Sequence, residues 1–241
     1  MATTIRMRPL LIGAALFAYL ALASHARAAT FGAKPNSLTL DAQHRIAQLE
    51  FSSLDARTNL FDVTVARWSQ TGGQDSLVPV TDPIVVPPIF SISPYETVLL
   101  RLTFRLPPQP GPSETSYKVI IKEVLPKTAS ANARIVTVPL FVPPASPSTT
   151  APTYTLKRGG SPNSADLIIK NASNTHIYIG KLSVDVDSKS LYEGTPAIYV
   201  LAGQSRTIPL KLTTALSGQN AELRYEDDRG DSQSATATIT P

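Results

Sequence analysis

Short stretches in which apolar and polar residues alternate, or in which apolar residues form brief runs, recur along the chain between turn residues. Examples are 45–51, 60–68, 97–104 and 117–124. Helical periodicity of any length is absent, and 21 prolines are spread through the sequence, which disfavours long helices. The pattern predicts an all-β protein.

The stretch 133–144, Ala-Arg-Ile-Val-Thr-Val-Pro-Leu-Phe-Val-Pro-Pro, is rich in β-branched and aliphatic residues but contains Pro139. Proline donates no hydrogen bond to a neighbouring strand, so within sheets it occurs mainly in edge strands. We therefore predict an edge strand here. Because an exposed apolar edge promotes aggregation, we expect that pairing with another chain is the role of this strand.

A tract of Pro, Ser and Thr follows this stretch and is the clearest boundary in the chain. Its prolines predict a short, semi-rigid connector. We expect an N-terminal domain at 29–144, a linker at 145–152 and a C-terminal domain at 153–241. In both halves the strands are separated by turns every 8 to 12 residues or so, which fits an immunoglobulin-like sandwich.

The first 28 residues have the pattern of a secretory signal peptide. Arg6 and Arg8 precede an apolar run at 10–23, and Ala26-Arg-Ala28 has the small-x-small pattern of a cleavage site. The apolar run is shorter than the roughly 20 residues that span a bilayer. We therefore expect an exported protein. Because the chain has no cysteine, each domain must depend on its own core.

The formal net charge of +4 comes from 22 basic and 18 acidic residues. Three of the basic residues, Arg6, Arg8 and Arg27, would leave with the signal peptide, so the mature chain is close to neutral. Lys/Arg clusters are also absent from the sequence. We therefore expect no binding to nucleic acid and no insertion into a membrane after signal cleavage.

Catalytic and metal-binding motifs are lacking. After the leader only His44 and His176 remain, in different predicted domains, and no H-E-x-x-H pair, G-x-S-x-G elbow or phosphate-binding loop occurs. Two isolated histidines are a poor metal site. We expect neither an enzyme, nor a cofactor, nor a bound metal.

The order of several motifs resembles that of a known family. These are Trp68-Ser-Gln-Thr-Gly-Gly-Gln-Asp-Ser-Leu77, the run Ile-Val-Val-Pro-Pro-Ile-Phe-Ser-Ile-Ser-Pro at 84–94, the strands at 97–102 and 117–126, Leu140-Phe-Val-Pro-Pro, and Asp228-Arg-Gly230. Together they resemble the periplasmic pilus-assembly (chaperone-usher, PapD-like) chaperones over essentially the whole mature chain.

The resemblance implies two immunoglobulin-like β-sandwich domains in an L or boomerang arrangement, located in the periplasm. Such a chaperone binds pilin or fimbrial subunits by donor-strand complementation: its edge strand fills the groove left by the strand that the pilin lacks. It then delivers the subunit to an outer-membrane usher. When free, it could cap its own edge by forming a dimer.

The strand that would bind the subunit runs through Arg134, Val136, Val138 and Leu140. Because side chains alternate along a strand, we expect Val136, Val138 and Leu140 to insert into the partner. Ile135, Thr137 and Phe141 would then cover the chaperone's own core. A bulge at Pro139 would shift this assignment.

The family also anchors the pilin's terminal carboxylate with an arginine and a lysine in the cleft. Here those two positions are Asn36 and Pro139, so the roles do not transfer. A desolvated carboxylate still needs cationic donors. The nearest substitutes are Lys118, our first choice, then Lys122 and Arg101, with Arg134 a further candidate. The departure indicates a divergent branch, such as the archaic type that builds thin pili.

An exported adhesion or carbohydrate-binding module with the same sandwich architecture is the alternative, because fold does not fix function. Such a module should present aromatic residues in its loops. The loops here contain mostly Pro, Ser, Gln and Thr, which favours the chaperone.

Overall fold

A computed structural model describes residues 30–128, 132–148 and 150–241. The predicted signal peptide lies outside these residues. Across them, no helix occurs with the length and apolar character that a membrane crossing needs. The ten strands of the first half are β1 (Phe31–Lys34), β2 (Leu38–Thr39), β3 (Ile46–Ser53), β4 (Asn59–Thr71), β5 (Gln74–Val80), β6 (Ile84–Val86), β7 (Ile89–Ile92), β8 (Thr97–Thr103), β9 (Thr115–Glu123) and β10 (Ile135–Val142).

Two sheets pack face to face in this half. One has the order β1-β3-β8-β6 and the other β2-β10-β9-β4-β5, with β7 paired to part of β4. Alternate residues of β3 and β4 are buried, as expected for strands that cover a core on one face. Between the sheets, the rings of Phe51 and Phe61 meet edge to face with centroids 4.9 Å apart.

Nine strands lie in the described part of the second half. They are β11 (Thr153–Arg158), β12 (Ser164–Lys170), β13 (Ile177–Ile179), β14 (Leu182–Val186), β15 (Lys189–Gly194), β16 (Ile198–Val200), β17 (Ser205–Lys211), β18 (Asn220–Glu226) and β19 (Ser232–Thr240). Seven form a sheet in the order β15-β14-β18-β19-β11-β12-β17, and β13 pairs with β16. Side chains from all seven strands of this sheet and from the β13-β16 ribbon share one core, which is separate from the core of the first half.

A small apolar seam joins the two halves. Trp68, Phe141 and Leu201 are buried against one another, and Tyr199 packs against them. Gln70 crosses the seam, because its amide Nε2 donates to the carbonyl of Tyr199 at 3.0 Å and its Oε1 accepts the backbone N–H of Leu201 at 2.9 Å. The two domains therefore meet through packing and hydrogen bonds.

Candidate functional site

Strand β10 has two halves with different neighbours. It pairs with β9 antiparallel along its whole length, from Ile135 opposite Lys122 to Val142 opposite Thr115. On its other flank, β2 pairs with it in parallel, and only at Leu140 and Phe141. Among the described residues, Ile135–Pro139 therefore has a strand partner on one side only. The predicted edge strand is present, but its open edge ends before Leu140.

The side chains of β10 point the opposite way from the sequence-based assignment. Val138 and Leu140 are 2% and 0% exposed in the core of their own domain, and Val136 packs against the same core. Ile135 is 56% exposed, and Thr137 on the same face is also exposed. The expectation that Val136, Val138 and Leu140 would insert into a partner is therefore wrong. The pairing with β9 runs without a register shift past Pro139, so no bulge reverses the alternation.

Arg134, at the head of β10, is occupied inside its own domain. Its guanidinium donates to Asp55 Oδ2 at 2.7 Å and to Asn59 Oδ1 at 2.8 Å, and it forms a bidentate pair with Glu123. It also lies over the ring of Phe31, 4.4 Å from the centroid. The hydrogen bonds from Arg134 lower the pKa of Glu123. Four of its five N–H donors are therefore used inside its own domain, which argues against the carboxylate-binding role expected for the Arg134 side chain.

The three predicted carboxylate anchors lie apart from one another. Arg101 is exposed on β8, in the sheet opposite to β10, which rules it out as an anchor beside the edge. Lys122 is exposed on the outer face of β9, opposite Ile135. Lys118, opposite Pro139, is 3.0 Å from Asp75 Oδ2 and lies over Trp68 with its Nζ 4.1 Å from the ring centroid. Its ammonium group is therefore already paired at the domain seam.

Asp75 connects this lysine to the second domain. Its carboxylate accepts hydrogen bonds from Lys118 Nζ at 3.0 Å, from Gln70 Nε2 at 2.9 Å and from Arg206 Nη1 of β17 at 2.8 Å. Burial alone would raise the pKa of Asp75, but these donors outweigh it and leave the pKa below its usual value. The cations of Lys118 and Arg206 are thus both paired with the carboxylate of Asp75.

A cleft of about 960 Å³ lies between the domains, where the open edge of β10 gives way to β2. The first domain contributes Lys34, Asn36 and Phe141 to its wall, and the second contributes His176 and Arg229. Lys34 and Arg229 are both exposed, whereas the neighbouring Asp228 is already bonded to His176 Nε2 and Ser37 Oγ. The cleft therefore presents a cation from each domain near the C-terminal half of β10, beside the acidic residues Glu114 and Asp227.

Sequence reasoning missed Lys34, Arg229 and His176. Lys34 precedes Pro35 and Asn36, so it lies two residues before the Asn that falls near the family's arginine position. Arg229 occupies the middle of Asp228-Arg-Gly230. This motif stands out in the sequence, but nothing there gives Arg229 a binding role. His176 gave no local signal, because its partners are distant in sequence: Glu114 is 62 residues away and Asp228 is 52 away.

The sandwich pair and the open edge define a class of two-domain β proteins suited to strand addition. Residues 31–146 match the family described as pili and flagellar-assembly chaperone, PapD N-terminal domain. The N-terminal domain of the chain therefore belongs to the PapD-type family of pilus-assembly chaperones, as the motifs predicted. No curated protein sequence matches the chain at a significant level.

Several solved structures share the fold. A chain of the CsuC–CsuE chaperone–tip adhesion subunit pre-assembly complex, from archaic Csu pili of Acinetobacter baumannii, is 20% identical with a TM-score of 0.61; the match covers 88% of this chain and 100% of that one. The Pseudomonas aeruginosa CupB2 chaperone is 16% identical with a TM-score of 0.57, covering 87% and 100%. A chain of the Salmonella enterica SafA pilin–SafB chaperone complex is 19% identical with a TM-score of 0.55, covering 86% and 95%. These similarities confirm the predicted fold of two immunoglobulin-like sandwiches.

Proposed function

We propose that this protein is a periplasmic chaperone for pilin-like subunits, which it holds by strand addition at the open half of β10 and passes to an outer-membrane usher. The observation on which the proposal rests is the one-sided pairing of Ile135–Pro139. The family of the N-terminal domain supports the chaperone role, and relatives of the same fold occur in complexes with a pilin and with a tip adhesion subunit.

Strand addition suits the geometry of this edge. A partner strand would find the main-chain N–H and C=O groups of Ile135–Pro139 that face away from β9, with no N–H at Pro139. Each hydrogen bond formed contributes about 0.5–1.5 kcal/mol. Ile135 and Thr137 are the side chains that face away from the chaperone's own core. They replace Val136, Val138 and Leu140 as the residues that would enter an incomplete sandwich.

The cleft supplies a place for the end of the added strand. Because β2 already occupies the flank of Leu140 and Phe141, a strand that follows the open edge must stop there. Lys34 and Arg229 line the cleft at this point. We therefore infer that they receive the terminal carboxylate of the subunit, since a carboxylate leaving water requires charge-assisted donors.

The test is capture by the tagged chain in the periplasm. We expect a small all-β subunit to co-purify in equal amounts. The double variant Ile135→Glu, Thr137→Glu should lose it, because two carboxylates would enter the apolar groove of the subunit. Leu99→Glu is the matched control: Leu99 is 36% exposed on the opposite sheet, and its variant should capture normally.

Circular dichroism must show that the double variant remains folded, which its exposed positions predict. Full capture by a folded double variant would refute the edge assignment. Recovery of the chain alone, with binding to immobilised polysaccharide instead, would favour the adhesion or carbohydrate-binding module.

A further inference from the structure

The imidazole of His176 lies between the two domains and contacts both. It stacks on the ring of Phe141 in β10, with centroids 3.7 Å apart and planes 12° from parallel. Its Nδ1 is 2.8 Å from Glu114 Oε1 of the first domain, and its Nε2 is 3.3 Å from Asp228 Oδ2 of the second. The side chain is only 15% exposed.

Both ring nitrogens face carboxylate oxygens, which only accept hydrogen bonds. Each nitrogen must therefore carry a proton, and the ring is an imidazolium. Burial alone would lower the pKa of His176, but the hydrogen bonds to Asp228 and Glu114 outweigh burial and raise the pKa to about 9.

Asp228 transmits this contact to the cleft. Its Oδ2 also accepts the hydroxyl hydrogen of Ser37 in the first domain, at 2.9 Å. Its neighbour Arg229 lines the cleft, and the turn around them is closed by hydrogen bonds from the backbone N–H of Gly230 and of Asp231 to Asp227. The imidazolium therefore holds the Arg229 turn against the first domain, next to the end of β10.

We propose that His176 is a positioning residue, whose imidazolium fixes the separation between the end of β10 and the Arg229 turn and so sets the width of the cleft. Its consequence for subunit binding rests on the proposed function; its consequence for domain geometry does not. With neutral imidazole, one of the two carboxylates would lose its hydrogen bond. Loss at Nδ1 removes a contact between the domains, and loss at Nε2 releases Asp228, which bonds Ser37 of the first domain.

At alkaline pH the loss of the His176 proton can be told apart from the titration of the neighbouring groups. A folded pKa raised above the ordinary 6.5 contributes stability that is complete below pH 6.5 and is lost as the pH rises through about 9. The groups that face His176 are Glu114, Asp228 and, at a ring-centroid distance of 5.6 Å, Tyr199. Burial raises the pKa of Tyr199, so its phenol stays neutral when His176 loses its proton.

The test measures the distance between the domains in the free chain. Because the sequence has no cysteine, Gln48→Cys and Lys211→Cys, on exposed positions of β3 and β17, accept a dye pair for energy transfer. The transfer distribution should be narrow at pH 7 and broaden with a midpoint near pH 9. In the same background, His176→Gln should be broad already at pH 7. His44→Gln is the control, since His44 is 76% exposed and pairs only with Asp41.

A narrow distribution in folded His176→Gln from pH 6 to pH 10 would overturn the proposal. The ring-proton NMR titration of the unsubstituted chain gives an answer independent of any variant: a His176 midpoint near 9 supports it, and a midpoint at or below 6.5 contradicts it. If no subunit is ever captured, the proposed function fails, but the distance measurement still decides the role of His176.

Discussion

The two halves of β10 have similar apolar sequences but different surroundings. In Ile135–Pro139 one flank is open and Ile135 is 56% exposed, whereas in Leu140–Val142 the exposed fractions are 0%, 2% and 3%. The second half has β9 and β2 on its flanks at Leu140 and Phe141, its own core on one face and the second domain on the other. The comparison teaches that one strand can be packed on both flanks in its C-terminal half while one flank of its N-terminal half keeps its main-chain groups free for another strand.

The largest expected effect comes from the fixed half. Phe141→Ala removes a ring that is 2% exposed, that stacks on His176 and that packs against Trp68 with centroids 6.3 Å apart. We expect unfolding free energy to fall by about 3–5 kcal/mol, as for other buried phenylalanines. Urea denaturation followed by the fluorescence of Trp68, the only tryptophan, measures it.

Ile135→Ala is the matched variant in the open half, and its effect should stay below about 1 kcal/mol, because a half-exposed side chain has little burial to lose. Equal losses in the two variants would mean that the halves do not differ in packing as described.

Arg134 fixes the other end of the open half. Arg134→Ala leaves Glu123, which is 6% exposed, without its cation, and Asp55 loses a 2.7 Å partner. We expect a loss of about 2–3 kcal/mol near neutral pH, because hydrogen bonds to charged groups are worth more than neutral ones. Arg101→Ala, on an exposed position of the opposite sheet, should be nearly neutral in the same denaturation experiment.

Acid pH provides the check on this explanation. The pKa values of Glu123 and Asp55 are lowered by their bonds to Arg134 from the ordinary 4.5 and 3.8. Depressed carboxyl pKa values contribute stability that is present above the ordinary values and is lost as the pH falls through the folded ones. The difference between the parent and Arg134→Ala should therefore shrink below pH 4. A difference that stays constant down to pH 2 would assign the loss to packing on Phe31 instead.

Most of the fold could be predicted because its determinants are local. Period-two patterns, scattered prolines and the Pro/Ser/Thr tract indicate strands, turns and a connector without knowledge of tertiary contacts. The edge strand was predicted for the same reason, since Pro139 marks it in the sequence itself. The limits of its open flank were not, because they depend on where β2 pairs, a parallel contact across 102 residues of chain between Leu38 and Leu140.

The direction of the side chains could not be predicted from this stretch. From Val138 to Val142 every residue is buried: Val138, Leu140 and Val142 lie in their own core, and Phe141 packs against the second domain. Alternation is therefore absent where it would be needed. The carboxylate anchors were mispredicted for a related reason. Lys118 pairs with Asp75, and Arg134 pairs with Asp55 and Glu123. These partners lie on other strands and loops, so the pairing leaves no mark in the local sequence.

Apart from the control variants, the smallest expected effect concerns the junction between the halves, where the terminal carboxylate of a subunit would lie. Lys34→Gln with Arg229→Gln should weaken capture by about ten-fold, near 1.4 kcal/mol, because both cations line the cleft but remain largely solvated. The measurement is the dissociation rate of the co-purified complex at low and high salt, since such solvated pairs weaken as salt rises. Lys118→Gln tests the rival anchor: its ammonium group would first have to leave Asp75. A slow, salt-sensitive dissociation that is lost in Lys118→Gln but kept in the double variant would move the anchor to Lys118 and Arg206, and would require the subunit to displace Asp75 from that pair.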